Sequence, residues 1–430
     1  MRVSTNTIYE TGTSGLVRQS GDLFRLQQQL STGRRVLAPS DDPVASARAL
    51  EVEQSKSMND QFAINRRDAS SALGFAESQI ATAGDILATI RERLIQSRSA
   101  TLADSDRKAI ATDIRAMFSE MMGIANSRDA FGDYLFSGYK STTQPFSGSV
   151  EAGVSYAGDD GQREAQVGSN RRLAISDSGA NVFMRVPSGN GNFSLTPDPA
   201  NRGTAVLDAG SVTDMSAWND PANSGDFEVV FAVSGGTTTY DIIDNASGNS
   251  LLTGAAPGGA PLPRTFLPGD VINLRSNGGS EPPFNFGARF SMTGAPADGD
   301  RVALQISTSQ SVFETIGDVI LALEQPASGD ANALAKVSNA IGSAISNIDQ
   351  STDNLLTTRA RIGARSSELA ALDSLGEEVN LQFESSLSTL RDLNYTEALS
   401  KLTQQQAYLQ AAQQSFLKVS GLSLFNFIGA

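Results

Sequence analysis

Few places in this chain combine residue types that could do chemistry. Ser137-Gly138-Tyr139-Lys140 has the Ser-x-x-Lys spacing of penicillin-recognising enzymes, where a lysine one turn along takes the serine's proton. That chemistry needs the serine at a helix start. Gly138 and the following Ser141-Thr142-Thr143 predict a turn instead, and no Lys-Thr-Gly element follows. Asp159-Asp160-Gly161 and Asp298-Gly299-Asp300 could offer carboxylate oxygens to calcium. Neither has the ligand spacing of a calcium loop, and both are good turn sequences. Gly189-Asn190-Gly191 is too short to cradle a phosphate, and no Gly-Lys-Ser/Thr loop occurs. Arg34-Arg35 and Arg171-Arg172 are isolated pairs, too sparse for a nucleic-acid surface. The inventory behind these motifs is narrower still, because the chain contains no His and no Cys. Ser-His-Asp and Cys-His sites, His/Cys zinc sites, thiol redox chemistry and disulfides are thereby excluded. The sequence predicts a protein that is not an enzyme, with no catalytic, cofactor-binding or metal-ligating residues and no cofactor.

The 430 residues carry 33 Lys and Arg against 47 Asp and Glu, a formal net charge of −14. An acidic chain of this kind is a poor partner for nucleic acid or anionic lipid. Nowhere do about 18 apolar residues run together, so no membrane span is expected. Met1-Arg2-Val3-Ser4-Thr5-Asn6-Thr7 lacks the apolar stretch of a cleavable secretory signal.

Residues 176–300 hold 11 of the 15 prolines and 18 of the 39 glycines, with five Lys/Arg against 13 Asp/Glu. Such a density of breakers forbids long helices. Short runs such as Phe227–Val233 and Thr238–Ile243, bounded by Ser234-Gly235-Gly236 and Ser247-Gly248-Asn249, predict strands and turns. Residues 134–175 predict a hairpin and loop. The flanks are the opposite: no proline lies between Pro43 and Pro145 or after Pro326. Residues 377–420 contain neither Gly nor Pro, and as one helix would span roughly 66 Å at about 1.5 Å per residue.

Apolar residues in the flanks recur in sevens, the mark of a narrow seam between long helices. The series are Tyr9, Leu16, Leu23, Leu30; Leu73, Ile80, Leu87, Leu94; and Leu334, Ile341, Ile348, Leu355, Ile362, Leu369. Ala76, Ala83 and Ile90 fill alternate seam positions, and Ile110, Ile114, Met117, Met121 and Ile124 keep the four-three rhythm. Past Gly376 a new register appears: Tyr395, Leu402, Leu409, Phe416. Gly33 predicts the end of one helix, and Ser40-Asp41-Asp42-Pro43 the start of another, with Asp42 capping the free N–H groups. Gln325–Asp330 breaks a further helix pair. The predicted fold is mainly α with a β insert: an elongated rod or coiled coil built from both termini, with a β-rich domain at its tip. Expected regions are 1–42 with 377–430 (terminal coiled coil), 43–175 with 301–376 (helical rod with a β-hairpin) and 176–300 (β-rich outer domain).

The end of the chain, Leu422-Ser423-Leu424-Phe425-Asn426-Phe427-Ile428, is apolar and follows a long amphipathic stretch. Burial against other copies of the chain satisfies it better than folding back. Gln404-Gln405-Gln406 and Gln413-Gln414 give that stretch an uncharged polar face suited to a crowded interface. Candidate assembly residues are therefore Leu16, Leu23, Leu30, Tyr395, Leu402, Leu409, Phe416, Leu422, Leu424, Phe425 and Phe427. Gly33, Asp41, Asp42 and Pro43 form the structural motif.

Several stretches together resemble the bacterial flagellar axial proteins, the flagellin relatives, and within them the hook-associated protein 3 family. They are Gln29-Leu30-Ser31-Thr32-Gly33-Arg34-Arg35-Val36, Ser40-Asp41-Asp42-Pro43, Phe131-Gly132-Asp133-Tyr134-Leu135-Phe136-Ser137-Gly138 and Leu393-Asn394-Tyr395-Thr396-Glu397-Ala398. Leu422–Phe427, Gly294–Asp300 and Gln310–Phe313 also fit. The match covers both flanks, about two-thirds of the chain, and little of the β insert. Flagellins commonly end Leu-Ser-Leu-Leu-Arg, whereas here Leu-Ser-Leu runs into Phe425-Asn426-Phe427-Ile428. The resemblance implies a non-enzymatic subunit of a ring joining hook to filament, with paired termini lining the axial channel. It implies as partners other copies of the chain, hook-associated protein 1 on the hook side, flagellin on the filament side and a cytosolic chaperone holding the C-terminal segment. It also implies an extracellular site reached unfolded through the flagellar type III apparatus. The competing readings are flagellin itself and, from another class, a secreted ligand-binding module on a helical stalk.

Overall fold

The computed structural model describes residues 5–99, 102–221, 223–258 and 262–428; the side chains of 5, 6, 8 and 420–428 lie outside the described set. Its helices are α1 (Thr5–Thr32), α2 (Pro43–Ser97), α3 (Asp104–Ala125), the one-turn α4 (Met215–Trp218), α5 (Val312–Glu324), α6 (Ala331–Arg391) and α7 (Tyr395–Ile428). Local chemistry fixes most boundaries. Gly33, at φ +70°, ends α1 in the left-handed conformation that glycine adopts cheaply. Pro43 opens α2, and Asp42 Oδ1 accepts from the Ala45 N–H at 2.9 Å. Ser311 caps α5 through the Phe313 N–H, and Asp330 receives the N–H groups of Asn332 and Ala333 before α6.

The chain forms two compact units. One holds the chain up to Arg66, the stretch Val167–Ser169 and the chain from Ala370 on; the other holds 67–166 and 170–369. In the first, α1 lies against α7. Ion pairs join α2 to α6 in antiparallel order: Glu53 with Arg391, Lys56 with Glu384 at 2.9 Å and Arg66 with Asp373 at 2.9 Å.

In the second unit the predicted seam is buried except at Leu334, which is half-buried. Leu73, Ile80, Leu87, Ile90 and Leu94 of α2 are fully enclosed, as are Ile341, Ile348, Leu355, Ile362 and Leu369 of α6. Each such side chain contributes about 1.5–3 kcal/mol on leaving water. Arg91 pairs with Asp349, and Arg359 with Glu77, so that α2 and α6 are antiparallel within this unit. Where α5 meets the first hairpin (Phe146–Ser149 with Gly153–Tyr156), rings interlock: Phe146 lies 5.4 Å from Phe313 and 5.7 Å from Phe183.

A two-stranded neck, Val186–Pro187 against Ser309–Gln310, leads into the β region. Its main sheet is antiparallel in the order 249–250, 237–244, 226–234, 301–306, 193–197; 264–265 also pairs with 237–244. A second sheet sets Asn285–Thr293 between Val271–Arg275 and the short strands 206–207 and 211–212. Phe193, Phe227, Phe231, Phe290, Leu304 and Trp218 close a core built from residues 193–304.

Three features depart from expectation. The Gly- and Pro-free stretch 377–420 is not one helix: α6 runs unbroken through Gly376 to Arg391, and α7 restarts at Tyr395. Contacts with the α1–α2 loop, described below, make that break. The rhythm from Ile110 to Ile124 belongs to a separate helix, α3, whose buried face includes Phe118 and Arg107 while Met117 is only half-buried. The main sheet also uses Arg301–Ile306, past the expected edge at residue 300.

Candidate assembly interface

The motifs at 29–36, 40–43 and 393–398 meet in one place. After Gly33 the chain bridges Arg34 to Asp392. The Leu393 N–H donates to the Gly33 carbonyl at 2.9 Å, and the Arg35 N–H to the Arg391 carbonyl at 2.7 Å. The Arg35 guanidinium reaches the Leu390 carbonyl at 2.8 Å, satisfying an acceptor that the end of α6 leaves open. These cross-links take the place of a proline or glycine in ending α6. Asn394 then begins α7, its carbonyl accepting from the Ala398 N–H. Asp41 closes the 37–41 loop by accepting from the N–H groups of Leu37 and Ala38. Asp42 also pairs with Arg35 at 3.2 Å; the Ala45 N–H first, then Arg35, hold its carboxyl below the usual range. Pro43 needs no N–H partner there.

From this junction α1 and α7 pack along their seams. Leu16, Leu23 and Leu30 on α1, and Leu402, Leu409 and Phe416 on α7, are all half-buried. The rings of Tyr9 and Phe416 stand 5.1 Å apart, tilted at 53°. Gly12 makes room for that ring: a Cβ there would fall 2.7 Å from Phe416. Tyr395 places its hydroxyl over Gly33, 2.8 Å from where a Cβ would stand, although half its surface is exposed. The backbone of α7 is helical through Leu422, Leu424, Phe425 and Phe427, and the side chains of those four lie outside the described set.

A second apolar row, which the heptads of the first did not reveal, faces outward on the same helices. Val17 is 71% and Phe24 68% exposed on α1, seven residues apart; on α7 Leu399, Tyr408 and Leu417 are exposed. The spacing of Val17 and Phe24 was the available signal. The exposed row and the half-closed seam together leave apolar side chains of both helices in water.

The chemical candidates are occupied with structure. Ser137 is buried and its hydroxyl donates to the Tyr134 carbonyl, while Lys140 Nζ reaches the Ala157 carbonyl at 3.3 Å. Gly138, at φ +72°, makes the predicted turn. Asp159 accepts from the N–H groups of Tyr139 and Gly161, which hold its carboxyl below the usual range. Asp298 accepts from the Val233 N–H, and Asp300 from those of Arg202, Gly203 and Ala297. Among the described residues no three His, Cys, Asp or Glu side chains gather as a metal cage, and no helix is long and apolar enough to cross a membrane.

Comparison with known proteins places this geometry. Residues 3–141 match the family model for the bacterial flagellin N-terminal helical region. The flagellar hook-associated protein 3 of Salmonella typhimurium is 26% identical over 425 residues, 99% of each chain. The crystal structure of the flagellar junction protein FlgL from Legionella pneumophila is 28% identical, with a TM-score of 0.68, over 80% of this chain and 100% of that one. FlgL from Xanthomonas campestris is 29% identical, with a TM-score of 0.66, over 78% and 99%.

Proposed function

We propose that this chain, a member of the hook-associated protein 3 family of flagellin-like axial proteins, is a structural subunit of the bacterial flagellum that forms the junction ring between hook and filament. The observation that carries the reading is end-to-end similarity to a hook-associated protein 3, over 99% of both chains. The half-closed α1–α7 pair supports it from within the chain. A helix pair that leaves Val17, Phe24, Leu399 and Leu417 in water gains stability when neighbours cover them.

In this reading the partners are other copies in a ring, hook-associated protein 1 on the hook side and flagellin on the filament side. The assembly surface consists of Leu16, Leu23, Leu30, Tyr395, Leu402, Leu409 and Phe416 with the tail residues Leu422, Leu424, Phe425 and Phe427. Residues 1–42 with 377–430 line the channel, 43–175 with 301–376 form the rod around them, and 176–300 lie outermost. A cytosolic chaperone holds the C-terminal segment before export unfolded through the type III apparatus. A chain without cysteine suits that route, since it cannot be cross-linked wrongly in either compartment.

Immunogold labelling of isolated flagella with an antibody to the β region tests the reading. A single band at the distal end of the hook is expected. Label spread along the filament would make the chain a flagellin instead.

A further inference from the structure

Helix α6 carries two faces. One is the apolar seam of sevens, Leu334 to Leu369. The other is a row of amides, Asn332, Asn339, Asn347 and Asn354, in steps of seven, eight and seven. That row follows the 3.6-residue turn of a straight helix and spans roughly 33 Å. The first three amides meet the entry segments of the β region, and the fourth meets the chain just before the neck. Asn332 Nδ2 donates to the Gly203 carbonyl at 2.7 Å and to the Asn201 carbonyl at 3.1 Å. Asn339 grips one short strand from both sides: its Nδ2 donates to the Ala205 carbonyl at 2.9 Å, and its Oδ1 accepts from the Leu207 N–H at 2.8 Å. Asn347 Oδ1 accepts from the Gly189 N–H at 2.7 Å, while Ser346 donates to the Gly189 carbonyl at 2.7 Å. Asn354 donates to the carbonyls of Asn181 and Val182, each at 2.9 Å. Between the first two rungs, Lys336 Nζ reaches the Pro199 carbonyl at 2.8 Å.

With the single exception of Gln310, which takes the Asn347 Nδ2, every partner named is a backbone atom. The aromatic core of the β region draws on residues 193–304 and uses no α6 side chain. The joint is also loosely filled: a cavity of about 660 Å3 lies along it, lined by Ser188, Pro199, Asn332, Lys336, Asn339 and Asn347 among others. Covalently, only the two strands of the neck cross between helices and β region.

We propose that the first three amides of the row are a seat: they fix the angle of a separately closed β body on α6 by reading its main chain, not its side chains. Hydrogen bonds to backbone are directional, so they set register and orientation, and they place no demand on the sequence of the body they hold. The β body is thus a replaceable load on a fixed mount, able to change its exposed surface without losing its place. Freed from the seat, it moves as a folded unit about the neck.

The absence of cysteine allows spin labels at Ser280→Cys in the β body and Thr357→Cys on α6, both exposed, in the full chain. In the parent, pulsed electron resonance should give one narrow distance. With Asn332→Ala, Asn339→Ala and Asn347→Ala together, the distribution should broaden, while emission from Trp218, the single Trp and part of the β core, stays unchanged. A distribution as narrow as the parent's would overturn the seat. So would red-shifted Trp218 emission, because the body would then depend on α6 to fold. Two single variants act locally on one amide. Asn339→Ala should speed hydrogen exchange of the Leu207 N–H on the order of tenfold, and Asn339→Asp, which keeps the acceptor, should protect it. Equal exchange in both would mean that Asn339 does not hold that strand.

Discussion

Asp104 shows how far one side chain can reach beyond its own stretch of sequence. At the start of α3 it pairs with Arg107, and it accepts from the N–H groups of Ala327 and Ser328 in the loop between α5 and α6, each at 3.1 Å. Those donors, the Ala327 N–H foremost, hold its carboxyl below the usual range. A carboxylate whose folded pKa lies below its unfolded value stabilises fully above the unfolded value, near 4, and loses that contribution as pH falls through the folded one. Thermal melting from pH 7 to pH 2.5 should therefore show an acid limb below about pH 4, and Asp104→Asn should flatten part of it. Parallel profiles for parent and variant would remove Asp104 from the acid limb. Asp42 was readable as a cap because the Asp-Pro pair sits next to the amides it serves. Asp41 was legible as part of the same motif but not in what it bonds, and Asp104 was not legible, because their partners depend on how the loops fold.

At the scale of elements, whatever has a local period was legible. The sevens of α2 and α6 gave the seam, and Gly33, Pro43 and the 325–330 break gave helix ends, since each acts through its own neighbours. The break at 392–394 has no such mark. It is made by Gly33 and Arg35, more than 350 residues away, whose carbonyl and N–H take up the backbone there. Gly376 misleads in the opposite direction. It reads as a register boundary, yet the helix passes straight through, its carbonyl accepting from Asn59 and its missing side chain leaving space for the Arg66 guanidinium. Gly12 does the same for the Phe416 ring of α7. Gly12→Val should force the Phe416 ring off α1 and separate the upper part of the pair. The variant should be secreted but retained poorly in isolated flagella, while Gly21→Ala on the same helix, where a Cβ would meet nothing within 4 Å, behaves as the parent. Equal retention of both variants would show that this contact is not needed for assembly.

At the scale of the whole chain the two compact units differ in how finished they are. The second has a closed aromatic β core and a buried helical seam, so its stability is its own. In the first, the α1–α7 seam is half-buried and a second apolar row stands in water. Composition marks a different boundary, because proline and glycine confine the β region while the helices around it share its unit. Composition does not foretell which surfaces stay open, since exposure depends on how many helices gather around each one. The same contrast predicts the effect of truncation. Removing residues 390–430 deletes α7 and leaves α1 without its partner, but takes nothing from the second unit. Trp218 emission and the melting of the β region should match the parent, while the truncated chain should be missing from isolated flagella and filaments should fail to attach. If truncated chains appeared at the hook tip with filaments in place, the terminal helices would not be the assembly surface, and the exposed apolar row would need another explanation.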